Sequence, residues 1–127
     1  MRRVASHYIF WRRLYRMHYV ELDENGFLAG VFPLDGEMAG TEFYDGIVIP
    51  VSSSFKIFRD EEMFDFQLAD SDCRIMEIVA RKLSEKCVSD QVEPGKPVQL
   101  YLLGGIPLTT PEFGTNDGRC NGYVKRL

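Results

Sequence analysis

Read for the alternation of apolar and polar positions, the chain opens as a sheet. Residues 3–10 (RVASHYIF) alternate and are rich in Val, Ile and aromatics, the composition of a strand. Trp11 to Tyr15 reads as an exposed turn. Residues 16–22 (RMHYVEL) set Met17, Tyr19 and Glu21 against His18, Val20 and Leu22, which predicts a second strand. Asp23-Glu24-Asn25-Gly26 follows; Asn-Gly tolerates the positive φ angles of a type I′ turn, so it closes a tight hairpin onto residues 27–32 (FLAGVF). Pro33 to Gly40 is a loop by its Pro and Gly content. Residues 42–51 (EFYDGIVIPV) form a nearly continuous apolar run, as in a strand buried on both faces, with Pro50 ending its pairing. After the polar Ser52-Ser53-Ser54, residues 55–58 (FKIF) make a short strand.

The period then changes. Between residues 72 and 87, Ile75, Val79 and Leu83 recur every fourth position, Met76 and Ile78 widen the stripe, and Asp72 is placed to cap the free N–H groups of a helix. Glu77 and Arg81 add an i, i+4 pair. A sheet face needs a cover, so the stripe is expected to pack on the strands. Pro94-Gly95 turns the chain into a buried strand at 98–105 (VQLYLLGG), residues 108–122 are loop-rich, and 123–127 (YVKRL) form a terminal strand. No repeat or linker divides the sequence. One domain spans 1–127, with an N-terminal part (about 1–58) and a C-terminal part (about 92–127) joined by the helical segment.

The order of these segments resembles a known family. Val20 to Val31 (VELDENGFLAGV), followed by Gly46-Ile47-Val48-Ile49-Pro50, is similar to the opening of amidohydrolases, the metal-dependent hydrolase superfamily. There a strand, a tight turn and a second strand lead to a hydrophobic run ending in Pro-Gly. Val92-Glu93-Pro94-Gly95-Lys96 and Leu100-Tyr101-Leu102-Leu103 resemble the stretch that returns those chains to their β-domain, and Val124-Lys125-Arg126-Leu127 sits where they often finish. The resemblance implies a composite β-sandwich or pseudo-barrel, mostly β, with one prominent α-helix at about residues 72–87. In the family this domain flanks a (β/α)₈ barrel of about 250 residues that carries the catalytic groups. The stretch from Lys56 to Asp90 is far too short to hold one.

The resemblance also tests for the metal. Its first ligands are a His-x-His pair after the Pro-Gly, and here the glycine is Val51 and the two ligand positions fall on Lys56 and Phe58. An ammonium repels a divalent cation and a phenyl ring has no lone pair to offer. The Ala and Asp of the returning stretch are Val98 and Gln99. The expectation is a barrel-less relative with no catalytic residues, no metal and no other cofactor, acting by binding or assembly.

Composition narrows this further. Net charge is −4, which as a whole does not attract phosphate. The opening segment departs from it, with Arg2, Arg3, Arg12, Arg13 and Arg16 interleaved with Tyr8, Phe10, Trp11 and Tyr15. Basic plus aromatic is the vocabulary of single-strand binding, but a solvated strand and turn balancing the acidic remainder is the simpler reading. The acidic residues at 60–62, 65, 70 and 72 match no calcium loop and read as a solvated run. Three cysteines, Cys73, Cys87 and Cys120, cannot all pair internally. In one helix, at about 1.5 Å rise per residue, Cys73 and Cys87 would stand about 21 Å apart, beyond disulfide reach. Free thiols indicate a reducing compartment, and no apolar stretch is long enough to span a bilayer, so the cytoplasm is expected. A small enzyme using Cys73 at a helix start, or a metal between His7 and His18, is the alternative.

An uncovered apolar face favours association. A homo-oligomer or a complex with another protein chain is therefore expected, with no membrane and no nucleic acid. The aromatic residues Tyr8, Phe10, Trp11 and Tyr15, and Phe55, Phe58, Phe64 and Phe66, are the expected contacts, since aromatics and Arg are enriched at interfaces.

Overall fold

The computed structural model describes residues 1–36, 39–53, 62–67, 75–85, 88–89, 91–104 and 119–127. Strands β1 (Arg2–Trp11), β2 (Arg13–Leu22), β3 (Leu28–Pro33), β4 (Thr41–Ser52) and β5 (Glu62–Gln67) are followed by helix α1 (Ile75–Glu85) and strands β6 (Val98–Gly104) and β7 (Arg119–Arg126). The seven strands belong to one sheet in the order β3-β2-β1-β4-β6-β7-β5. β1 and β4 run parallel, and all other neighbours are antiparallel. The described residues thus form the expected mostly β fold with one helix among them. Its strands make a single mixed sheet that is not closed into a barrel.

Local chemistry explains where the elements differ from expectation. The strands β1 and β2 extend to Trp11 and Arg13, so the turn is Arg12 alone, in a left-handed conformation (φ 68°). The next turn is not type I′, because Gly26 is left-handed (φ 81°) while Asn25 is not among the positive-φ residues. Gly26 N donates to Asp23 O, and the Asp23 carboxylate accepts from the N–H groups of Asn25 and Phe27. An aspartate-capped turn ending in a left-handed glycine forms instead, and the β2–β3 register slips between Glu21 and Leu22. Pro50 does not end β4: it pairs opposite Leu100 of β6, beyond Val48, the last residue of β4 paired with β1. β5 occupies acidic sequence read above as a solvated run, and β7 begins within the segment read as loop. Residues 55–58 and Asp72 lie outside the described residues.

Both faces of the central strands are buried. On the outer face Val79 and Leu83 of α1, with Val88, pack against Phe10, Ile47, Ile49, Val51, Tyr101, Leu103 and Val124. Val79 and Leu83 of the predicted stripe therefore cover the sheet, as their spacing predicts. The inner face joins Val4, Ile9, Val20, Leu22, Leu28, Val48, Val98, Leu100 and Leu102 with Val92. A latch pins this curl: Phe27 bridges Pro97, Leu28 N donates to Lys96 O (2.9 Å), Gly95 N to Leu28 O (2.8 Å) and Val98 N to Gly26 O (3.3 Å).

A polar cluster sits where β1 begins. The Arg2 guanidinium grips Glu42 through Nε (2.7 Å) and Nη2 (3.1 Å), and the Tyr44 hydroxyl donates to the same carboxylate (2.8 Å). The Arg2 bond holds the Glu42 carboxyl below the usual carboxylate range, while the bond to Glu42 raises the Tyr44 hydroxyl. A carboxyl that titrates lower folded than unfolded stabilises the fold fully above its unfolded value, and this is lost as pH falls through the folded value. Arg2 and Glu42 are 39% and 40% exposed, so solvent screens the pair. Glu42→Gln should cost about 0.5–1 kcal/mol in urea unfolding at neutral pH. That difference should shrink as pH falls through the range in which the folded carboxyl takes up its proton, and a difference that persisted in full in acid would show the carboxylate is not its source.

Candidate functional site

The sheet is irregular at one level across three neighbouring strands. Ser6 pairs with His18 and Tyr8 with Arg16, but His7 and Met17 between them are not paired. Met17 is left-handed (φ 53°), uncommon for a residue with a long side chain. On the other side of β1 the register with β4 shifts between Ser6 and Tyr8, and Gly46 takes up the shift with φ 155°. Side chains staple the bend on both strands. The Ser6 hydroxyl donates to the Tyr8 carbonyl across His7, and His18 Nδ1 meets the Arg16 carbonyl (2.7 Å) across Met17. A carbonyl only accepts, so His18 Nδ1 carries the proton. Bulges of this kind re-aim side chains and occur beside functional sites.

Next to the bend lies an open aromatic row on the outer face. Phe43, Ala5, Tyr19 and Phe32 are cross-strand partners on β4, β1, β2 and β3 in turn. Phe43 is 51% exposed, Met17 41% and Phe32 39%, whereas Ala5 between them is fully buried. Tyr19 and Phe32 stack with centroids 5.6 Å apart. Ala5, Met17, Leu34, Gly36, Ala39, Thr41 and Phe43 line a groove of ≈710 Å³.

Two buried side-chain polar atoms among the described residues lack a hydrogen-bond partner, His7 Nδ1 and Thr41 Oγ1. Both flank Phe43: Thr41 lines the groove beside it, and the His7 ring meets it edge-on with centroids 5.3 Å apart. His7 Nδ1 is 3.2 Å from the Asp45 carboxylate, but the two are not aligned as a hydrogen bond, and Asp45 is 90% exposed. One row further along, Arg3 is held by Glu21 at 3.0 Å.

The aromatic and basic hairpin expected to make contacts is largely occupied with the fold. Phe10 is core, 1% exposed. Trp11 Nε1 donates to the Val92 carbonyl (2.8 Å), Tyr15 packs against the inner cluster and Tyr8 against the helix-side cluster. Arg13 lies over Tyr15 and Arg12 over Trp11, with Glu93 3.9 Å from Arg12. Phe64 and Phe66 stand opposite Gly122 and Cys120 in the β5–β7 register, and Phe55 and Phe58 lie outside the described residues. A smaller cleft of ≈380 Å³ lies where Arg12 meets Ser84, Ser89 and Gln91, but its floor of Phe10, Leu83 and Val88 is already buried.

The residues expected for the alternative chemistry do not assemble among the described residues. No three His, Cys, Asp or Glu side chains there are grouped to hold a metal. His18 is committed to Arg16 and stacks on Tyr15, away from the His7–Phe43 contact. Cys73 and Cys87, like Lys56, lie outside the described residues, and Cys120 lies in β7. No described helix is long and apolar enough to cross a membrane. Comparison with protein-family models, with curated proteins and with solved structures returned no match to this chain.

Sequence reasoning missed Phe43, Phe32, Met17 and Thr41. The signal for two of them was present: Thr41, Phe43 and Asp45 alternate against Glu42 and Tyr44 before Gly46. That is a half-exposed strand, not the start of a doubly buried run.

Proposed function

We propose that this chain is a non-catalytic, barrel-less relative of the amidohydrolase β-domain that acts by association, with a second copy seated on the outer face. The row Phe43–Ala5–Tyr19–Phe32, with Met17 beside it, carries this reading: helix α1 packs over one half of the face, and this half leaves large apolar side chains in solvent. The family reading is supported by the two resembling ends being neighbours, with β4 paired to β6 and the Gly26–Leu28 turn latched to Gly95–Val98. The odd cysteine count is in keeping with a reducing, cytoplasmic setting.

Charge favours a copy of the same chain. A two-fold axis along the row sets the Arg3–Glu21 pair of each protomer against the Asp45 side of the other, so the exposed Asp45 carboxylate meets a guanidinium that it shares with Glu21. Strand addition at β3 is blunted, since that edge is six residues long, ends in Pro33 and is capped by the latch at Leu28. Association through the exposed row is accordingly face to face rather than by strand addition at β3. Sedimentation equilibrium at micromolar concentration should give a dimer. Phe43→Ser should weaken it about tenfold, the effect of exposing roughly 1–2 kcal/mol of apolar contact, with an unchanged circular dichroism spectrum. A wild-type chain that stays monomeric at high micromolar concentration would remove the self-association.

A further inference from the structure

The groove beside Phe43 has features a protein contact does not need. We infer that it binds a small uncharged amphiphile, an aliphatic or aromatic body ending in a hydroxyl or amide. The inference rests on the outer face being the working surface, and it adds a ligand to that face.

Three observations specify the ligand. The groove measures ≈710 Å³ and is walled by Met17, Leu34 and Phe43 over the buried Ala5. That size and lining are typical of small-molecule sites. Of the two unpartnered buried polar atoms among the described residues, Thr41 Oγ1 belongs to the groove lining, whereas His7 meets the Phe43 ring without lining the groove. A threonine hydroxyl both donates and accepts, so it suits a hydroxyl or an amide. Thr41 Oγ1 is shielded from water, so a hydrogen bond formed there meets little solvent competition.

Charge excludes an acid or an amine. No described lining residue is basic, and Arg3, whose β1 position pairs with Thr41, is already neutralised by Glu21, so a carboxylate finds no cation there. An ammonium would have to be desolvated against apolar walls with no carboxylate among the described lining residues. A second copy over the row rests on the exposed rims, Phe43 and Met17, and roofs the groove without filling its floor at Ala5.

Octan-1-ol, octanoate and octylamine are the probes, followed by amide chemical shifts of the full chain at pH 7. Octan-1-ol should give saturable shifts at Met17, Thr41 and Phe43, and the two charged probes should bind at least about tenfold more weakly. Thr41→Val, isosteric without the hydroxyl, should weaken octan-1-ol about three- to tenfold, the worth of one hydrogen bond. Ala39→Trp, which fills the groove from an exposed position, should abolish the shifts with the spectrum otherwise preserved. Absence of octan-1-ol shifts, shifts elsewhere, equal binding by Thr41→Val or preference for a charged probe would each overturn the ligand assignment. Oligomeric state is measured separately: a dimer that ignores octan-1-ol loses only the ligand, and a monomer that binds it in the groove loses only the second copy.

Discussion

Gly46→Ala should lower the unfolding free energy by about 2–6 kcal/mol, a large share of what holds a domain of this size together. Two causes act together. A Cβ at this position would stand 2.6 Å from the Leu103 carbonyl oxygen and 2.8 Å from the Leu102 side chain, so backbone of β6 would have to move. The φ of 155° is also one that L residues rarely adopt. Gly26 isolates the second cause, being left-handed (φ 81°) with nothing near its would-be Cβ. Gly26→Ala should therefore cost about 1 kcal/mol. Urea unfolding of both variants checks the pair. A Gly46→Ala loss no larger than that of Gly26→Ala would mean that β4 and β6 do not approach this closely.

Phe10→Ala should cost about 3–5 kcal/mol, the cost of emptying a large core site. Phe10 is 1% exposed and packs among Ile47, Ile49, Val79 and Leu83, where truncation leaves a cavity beneath α1. Phe43→Ala, at a side chain half in solvent, should leave stability within about 0.5 kcal/mol. Thermal or urea unfolding of the two variants separates the roles. If Phe10 acted mainly at an interface, its removal would change assembly and spare the unfolding midpoint.

The contrast between Phe10 and Phe43 shows what the sequence made legible. Alternation located β1, β2, β3 and the strand at 98, and four-residue spacing located the helix, because each of those patterns is local. The faces were not legible, because they depend on the bend at His7 and Met17. Ser6 is fully buried and staples that bend, and Phe10 and Ile9 fall in opposite core clusters beyond it. Strict alternation from Val4 would put Phe10 in the inner cluster, and it lies in the outer one. The parallel pairing of β1 with β4 left no local signal either, since parallel partners are joined only through intervening chain. Phe43 was hidden by its continuity with the apolar run from Ile47, and Thr41 by looking like an ordinary strand threonine.

The latch between Leu28 and Lys96 bears on how the chain is made. The meander β1–β2–β3 leaves the ribosome early, yet the apolar side of Val4, Val20 and Leu28 is completed by Val92, Val98, Leu100 and Leu102 from the last third of the sequence. At about 5–20 residues per second, the first hairpins wait several seconds for their partners. During that interval Val4, Ile9, Val20 and Leu28 have only one another, Leu22 and Val48 to settle against, and the side later closed by Val92, Val98, Leu100 and Leu102 stays open. The nascent protein is thus most prone to capture by holding factors, or to misassembly, while most of its length is already translated.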